Sequence, residues 1–537
     1  MKKFNVEKAI FWPSAIVLFG MILYGFVFND QFNSLMTYLF SLVTNWSGWF
    51  MCLMSLVLII VCAVVCFTPI GDKIVGGPDA KIEHSTFSWC AMSICSGIAT
   101  AVVFYAVGEP IGYFHNPPAW WGVEPQSALA ATRAVTQSAF HWGYIYYGQF
   151  TFWGLVVGYM VMNHKLPARP SSALYPLWKD KIFGWQGKLV DVLSLLALIG
   201  GMITSLGFGV QQFAQGLDFV FGIKPTNMIY AVTLLVVICS FTVSSGRCVK
   251  KGMAIISNLN AYIYIFLICF LFLAGNTVFE FKLLAEAIGE TLTDFIPNIT
   301  RLDPFDVGNG WYANNTVFFM AWIMAYAPLI GLFLAKISRG RTWRQYTIVN
   351  VLVPGTFVLF WFTSFGGNAI YQDAFNGATI GAQVAEHGIP IATYALLQTM
   401  PLKGITIPIV VACLFFSFIT LADAMTGVIA SMTVKDITED EAPVWSKVLW
   451  GALTGAATFL CLFCLGSSGT ASLQNMSIVY GLPIFMITLI TCFALIKMVN
   501  GSVDKEFEGF TEDQRKKLSE GIPIGNYPEK KQKSAES

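Results

Sequence analysis

The chain has 537 residues, of which 55% are hydrophobic and only 12% are charged, with a formal net charge of +1. A soluble globular chain carries about 25% charged residues, so this composition excludes a disordered chain, a nucleic-acid binder and an ordinary soluble enzyme. A net charge so near zero sets up no global field to recruit a polyanion.

A bilayer span needs about 20 apolar residues, and twelve stretches qualify: 9–28, 49–68, 87–107, 136–162, 187–221, 228–245, 259–278, 315–335, 347–370, 404–432, 446–466 and 477–498. The first begins too close to the charged start, and lacks the small-residue cleavage site, expected of a removable signal peptide. Placing both termini in the cytoplasm leaves only Arg133, Lys224, Lys282, Arg301 and Lys403 outside, with every other Lys and Arg inside. That is the asymmetry basic residues show across a membrane. Between the seventh and eighth spans, residues 281–295 pattern as an amphipathic helix on the outer surface. The tail from about 500 is polar and is expected to be poorly ordered. The twelve cysteines read as small buried hydrophobes, and the five histidines have no metal-ligand spacing.

Four places break the lipid rule. In the third span, Cys95-Ser96-Gly97-Ile98-Ala99-Thr100-Ala101 runs on to Gly108-Glu109-Pro110. Small residues there allow either close packing or a helix that opens at the midplane to bind a substrate. In the fourth span, Trp142, Tyr147 and Phe150 at spacings of five and three share one broad face. In the eighth, Trp322 and Tyr326 are four apart and stack on one face beside Pro328, which frees a backbone carbonyl one turn earlier. An aromatic pair beside a helix break suits a cation–π cage, and a kinked packing helix reads the same way. In the tenth, Asp423 sits mid-span, where a carboxylate faces protein or water. Capping a broken helix is its favoured role, ahead of binding a cation or carrying a proton. No converging Ser/His/Asp or Cys/His set, phosphate loop or H-E-x-x-H motif is present, so catalysis, a metal and a nucleotide-driven pump find no support.

Several strings resemble those of the betaine/choline/carnitine transporter family. They are Gly331-Leu332-Phe333-Leu334-Ala335-Lys336-Ile337-Ser338-Arg339-Gly340-Arg341-Thr342, Phe140-His141-Trp142-Gly143, Arg169-Pro170-Ser171-Ser172 and Thr204-Ser205-Leu206-Gly207. The resemblance runs from about residue 10 to 500. It implies an all-α membrane protein of twelve transmembrane helices with LeuT-like inverted five-helix repeats, and often a homotrimer. The division would be a cytoplasmic N-terminus (1–8), two additional helices (9–86), a first repeat of helices 3–7 (87–280), an outer amphipathic helix and loop (281–310), a second repeat of helices 8–12 (311–499) and a cytoplasmic tail (500–537). It also implies a plasma-membrane secondary transporter of a small quaternary-ammonium compound of the carnitine, betaine or choline type, working by alternating access as a symporter or exchanger. An amino-acid or other zwitterion carrier on the same fold and a membrane osmosensor are the competing readings.

By the same resemblance the cage is Tyr113, Trp322 and Tyr326, with Trp142, Tyr147 and Phe150 lining the adjoining wall. Gly97, Ile98 and Pro328 would mark the unwound, gating segments. Three departures from the family pattern matter. Ile323 stands where a second tryptophan is usual. Leu421 follows Thr420, where sodium-coupled members have a Thr-Ser pair. Ala254 stands where the sodium-independent carnitine exchanger supplies an arginine. Thr420 and Ser417 remain as possible ion ligands. No cofactor is implied, and sodium-independent transport is the expectation.

Overall fold

Inside a bilayer no water satisfies an open backbone amide, so a chain this apolar closes its hydrogen bonds within helices. The computed structural model describes residues 6–97, 100–244, 249–435, 443–464 and 469–525. Among them the regular structure is helical, and the only strand pairing is two isolated bridges, Val6 with Val434 and Ile74 with Thr342.

In chain order the helices are α1 (Lys8–Val27), α2 (Asn29–Val65), α3 (Thr86–Gly97), α4 (Thr100–His115), α5 (Ala128–Trp142), α6 (Tyr144–Trp153), α7 (Tyr175–Trp178), α8 (Trp185–Phe221), α9 (Asn227–Ser244) and α10 (Val249–Ala274). There follow α11 (Thr277–Thr300), α12 (Phe318–Ile337), α13 (Trp343–Phe375), α14 (Ile380–His387), α15 (Ala392–Thr399), α16 (Lys403–Thr433), α17 (Val444–Phe459), α18 (Gly469–Val499), α19 (Ser502–Glu508) and α20 (Glu512–Ser519). Among the described residues, eight helices are long and apolar enough to cross a membrane, or ten if each of two bent pairs is one span. One of these pairs is α3 and α4, meeting at 67°, and the other is the C-terminal part of α10 with α11, meeting at 112°.

Burial separates centre from rim. α8 and α12 are buried along most of their length, whereas α1 and α2 leave Trp12, Phe19, Tyr38 and Trp46 exposed, as lipid-facing rings are. The second span begins at Asn29, twenty residues before the expected start at 49, because no proline or glycine interrupts the sequence until Gly48. The expected single span 136–162 is instead divided. It breaks at Gly143, where a Cβ would lie 2.5 Å from the Ala139 carbonyl oxygen, and ends in a π-helical stretch, Gly154–Asn163. That stretch crosses α12 backbone to backbone. A Cβ on Gly331 would meet the Gly154 nitrogen at 2.5 Å and the Phe150 carbonyl oxygen at 2.7 Å, so only glycine fits.

The outer amphipathic segment is longer than expected, Thr277–Thr300. Thr132 Oγ1 donates to Glu286 at 2.7 Å, and Arg133 pairs with Glu290 at 3.3 Å, fastening α11 to α5. The tail corrects the sequence expectation. Residues 500–525 are folded, with α19 and α20 docked on the basic loops. Asp504 pairs with Lys73, accepts from the Tyr159 hydroxyl at 2.6 Å and lies 3.1 Å from His164, while Lys179 pairs with Glu506. Partial burial pushes the Asp504 carboxyl up, but the contacts with His164, Lys73 and Tyr159 outweigh it and hold the group well below the usual carboxylate range. Composition alone reads such a tail as solvated. Its apolar Val503 and Phe507, four apart on one face and buried, carry the docking.

Candidate functional site

α12 presents Trp322, Ile323 and Tyr326 on its inward face, and across from it the broken fourth span presents Trp142, Tyr146 and Phe150. The three residues of the fourth span stand at i, i+4 and i+8, so they form one stripe although Gly143 interrupts the helix. α8 contributes Ser205, α3 ends at Gly97, and α16 closes the floor with Leu421 and Met425. Together they enclose a cavity of about 30 Å³, and among the described residues no charged side chain lines its wall.

The rings are set edge to face. The Trp322 ring centroid lies 5.7 Å from that of Trp142 at 83°, and 5.4 Å from Phe208 at 83°. Tyr146 lies 4.8 Å from Phe150 at 66°. Such pairs add about 0.5–1.5 kcal/mol beyond the area they bury. The polar tips are tied back to the scaffold. Trp322 Nε1 donates to the Gly201 carbonyl at 3.2 Å, the Tyr326 hydroxyl bonds Ser205 Oγ at 2.8 Å, and the Tyr146 hydroxyl donates to the Gly97 carbonyl at 2.9 Å. Glycine is required at two of these seats. A Cβ on Gly201 would lie 2.7 Å from the Tyr326 ring, and one on Gly97 would lie 2.5 Å from the Tyr147 hydroxyl.

Trp142 is anchored by a buried carboxylate. Glu109 accepts from Trp142 Nε1 at 3.0 Å, His141 Nδ1 lies 2.5 Å from it, and the Tyr113 hydroxyl lies 3.0 Å away. His141 Nε2 in turn contacts Thr316 at 3.0 Å and Gln137 at 2.9 Å. Every member is buried, so the network must be satisfied internally, as it is here.

The expected site residues are therefore not all brought together. Trp142, Phe150, Trp322, Ile323, Tyr326 and Gly97 line one cavity. Tyr113 does not join Trp322 and Tyr326 there. It stands on the far side of Glu109, its ring 5.2 Å from Trp311 and 6.1 Å from Trp121. Tyr147 points away too, donating to the Ile94 carbonyl at 2.9 Å, and Tyr146 takes the place expected of it. The i, i+4 spacing from Trp142 was the signal for Tyr146. Pro328 lies inside an unbroken α12, where it removes one helical hydrogen bond without unwinding the turn. Ile98 and the side chain of Ala254 fall outside the described residues. Asp423 caps no helix break, because α16 runs continuously past it. The carboxylate instead lies 3.5 Å from Lys447.

Thr420 and Ser417 line a second, larger cavity on the other side of Leu421 and Met425. Both hydroxyls are engaged. Thr420 bonds the carbonyls of Phe416 at 2.9 Å and Ser417 at 3.0 Å. Ser417 donates to the Cys413 carbonyl at 2.9 Å, accepts from Asn260 Nδ2 at 2.7 Å and lies 2.7 Å from the Tyr264 hydroxyl.

Known proteins share this sequence over nearly its whole length. A probable glycine betaine transporter of Desulfitobacterium hafniense is 30% identical over 491 residues, 91% of this chain and 97% of its own. The high-affinity choline transport protein of Escherichia coli is 31% identical, covering 92% of this chain and 72% of its own. An ectoine/hydroxyectoine transporter of Virgibacillus pantothenticus is 29% identical, covering 93% and 98%. These relatives are carriers and not enzymes, and the family described as BCCT, betaine/carnitine/choline family transporter, matches residues 9–503. With its apolar helices stacked around a buried, ring-lined cavity, the chain belongs to the betaine/carnitine/choline family of membrane transporters.

Proposed function

We propose that the chain carries a small quaternary-ammonium compound across the plasma membrane by alternating access, with Trp142, Tyr146, Phe150, Trp322 and Tyr326 as the walls of its substrate site. One observation carries the reading: five aromatic residues line a single buried cavity that, among the described residues, has no charged side chain. A trimethylammonium group has no N–H to donate, so ring faces are its natural partners, each worth about 2 kcal/mol when desolvated. The cavity of about 30 Å³ has room for about one water. Substrate entry therefore requires the walls to part, as an alternating-access carrier demands.

The same reading takes the helices as twelve spans, with two five-helix repeats of opposite orientation and both termini in the cytoplasm. The basic residues clustered at one end of the spans support the orientation. Transport is sodium-independent, by exchange or facilitated movement. Leu421 removes one hydroxyl ligand, and the Ser417 oxygen, the nearest replacement, already meets two donors. A second reading, a carrier of zwitterions without a trimethylammonium group, is favoured by Ile323, which puts an aliphatic face in the ring wall.

Purified protein in liposomes should take up at least one of labelled glycine betaine, carnitine or choline, faster with substrate inside and indifferent to a sodium gradient. Uptake of ectoine and of no trimethylammonium compound replaces the first reading by the second. Uptake that climbs steeply with external sodium and ignores internal substrate overturns sodium independence.

A further inference from the structure

Where α10 bends into α11, the chain closes on α13 around three fully buried polar side chains, Glu280, Ser364 and Asn368. Glu280 belongs to the first turn of α11, and Ser364 and Asn368 stand four apart on one face of α13. Asn368 is the hub. Its Nδ2 donates to Glu280 Oε1 at 2.7 Å and to the Ser364 carbonyl at 2.8 Å, and it reaches the Leu271 carbonyl of α10 at 3.4 Å. All three neighbours are acceptors, so they fix the amide nitrogen on their side and turn Oδ1 the other way. There Oδ1 faces Gly275, where a Cβ would overlap it.

Three oxygens remain. Glu280 Oε2, Asn368 Oδ1 and Ser364 Oγ are all withdrawn from solvent, and none has a hydrogen-bond partner among the described residues. One hydrogen bond and the width of two functional groups separate the first two, and Ser364 lies one helical turn away on the face that carries Asn368. Among the described residues no lysine, arginine or histidine pairs with Glu280. A buried carboxylate without a counter-charge is costly. The start of α11 favours an acid, but that field is small beside the penalty of burying an ion, and the carbonyl end of α10 opposes it. A proton on Oε2 supplies one donor to one acceptor, whereas a metal cation takes all three oxygens at once. Carboxylate, amide and hydroxyl oxygens are the ligands that hard cations prefer. One carboxylate balances one positive charge.

We infer that Glu280, Asn368 and Ser364 hold a single alkali-metal cation, which locks the bend between α10 and α11 onto α13. None of the three lines the ring-walled cavity or the larger one beside it. The ion is therefore a fixed strut and not cargo, and the inference stands apart from the substrate reading and from sodium-independent transport. Thr132 and Arg133 fasten α11 further along, at Glu286 and Glu290. The cation fixes the end of the same helix that those contacts leave free.

The test is thermal unfolding of the purified full chain in detergent at pH 8. Chloride and ionic strength are held constant while N-methylglucammonium is replaced stepwise by lithium, sodium or potassium. At least one alkali ion should raise the melting temperature saturably, by about 2–4 °C. Glu280→Gln keeps the shape, removes the charge and offers its own N–H to Asn368 Oδ1, so it should abolish the response. Ser364→Ala removes one ligand and should raise the half-saturating ion concentration by about tenfold. If Glu280→Gln does not fold, the midpoint in Ser364→Ala decides. A wild-type curve identical in every salt, an alkali response that survives Glu280→Gln, or an unshifted midpoint in Ser364→Ala overturns the inference. A melting temperature that climbs as pH falls and ignores every alkali ion marks Glu280 as a buried neutral acid and overturns it too. Each of these failures leaves the ring-walled site standing, because that site is tested by substrate binding.

Discussion

Glu109 is the residue on which the aromatic site most depends without lining it. Replacing it by glutamine preserves shape and removes charge. The carboxylate serves as acceptor on both oxygens, with His141 and Tyr113 at Oε1 and the Trp142 indole at Oε2. An amide must place its NH₂ at one of these positions, where it meets a donor with a donor. The less damaging orientation keeps the oxygen toward His141 and Tyr113 and strands the Trp142 indole N–H. A hydrogen bond to a charged group contributes about 1.5–3 kcal/mol, and the two that survive fall to about 1 kcal/mol each as neutral bonds. Glu109→Gln should therefore cost about 2.5–7 kcal/mol of stability. It should also weaken substrate binding by about tenfold, because Trp142 loses the contact that fixes its ring plane. Thermal unfolding in detergent and equilibrium binding on the same preparation read the two effects. Tyr113→Phe should be milder on both, since it removes one donor and leaves the indole anchored. If Glu109→Gln melts and binds as wild type, or if Tyr113→Phe is the more damaging, the carboxylate does not hold the wall.

Trp322→Ala removes one desolvated cation–π face, about 2 kcal/mol, and should weaken a trimethylammonium ligand by about thirtyfold. Unchanged affinity would take the ring out of the site. Ile323→Trp adds a ring where the wall is aliphatic and should tighten trimethylammonium binding or reorder substrate preference, and a variant ranking substrates as wild type places Ile323 outside the contact surface. Asp504 has its carboxyl held below the unfolded value of about 4. Its stabilisation of the tail is thus present above about pH 4 and lost as pH falls through the lower folded value. Hydrogen exchange over 500–520 should show protection at pH 7 that disappears in strong acid and in Asp504→Asn. Full protection in that variant assigns the docking to Val503 and Phe507 alone.

What the sequence displayed and what it hid divide along physical lines. The long apolar runs and the basic residues near their ends are properties of composition and were legible, as were Trp322, Ile323 and Tyr326, which share a regular helix with short spacing. The fourth span was harder. Its rings follow a 3.6-residue phase on both sides of a break, and the break at Gly143 depends on the Ala139 carbonyl, a contact that spacing does not display. Tyr113 has the right residue type and the wrong place. It is one turn beyond Glu109, and its ring packs on Trp311 instead of Trp322. Asp423 stood out as a mid-span carboxylate, but Lys447 comes from a different helix, so the pairing was not legible in either neighbourhood.

The glycine crossing of Gly154 and Gly331 has a mechanical consequence. Side chains between two helices act as a cushion that lets them slide or tilt by swapping rotamers. Here that cushion is missing, with Gly331 against the Gly154 amide and the Phe150 carbonyl. Phe150 and Tyr146 on one helix, and Trp322 and Tyr326 on the other, thus belong to a single stiff jaw. When the chamber widens, the yielding must come from the opposite side, from α3 at Gly97 and from α16 at Leu421 and Met425. A bulkier residue at Gly331 would pry that jaw apart at its hinge pin, and the chamber would lose its shape before any ring had been touched.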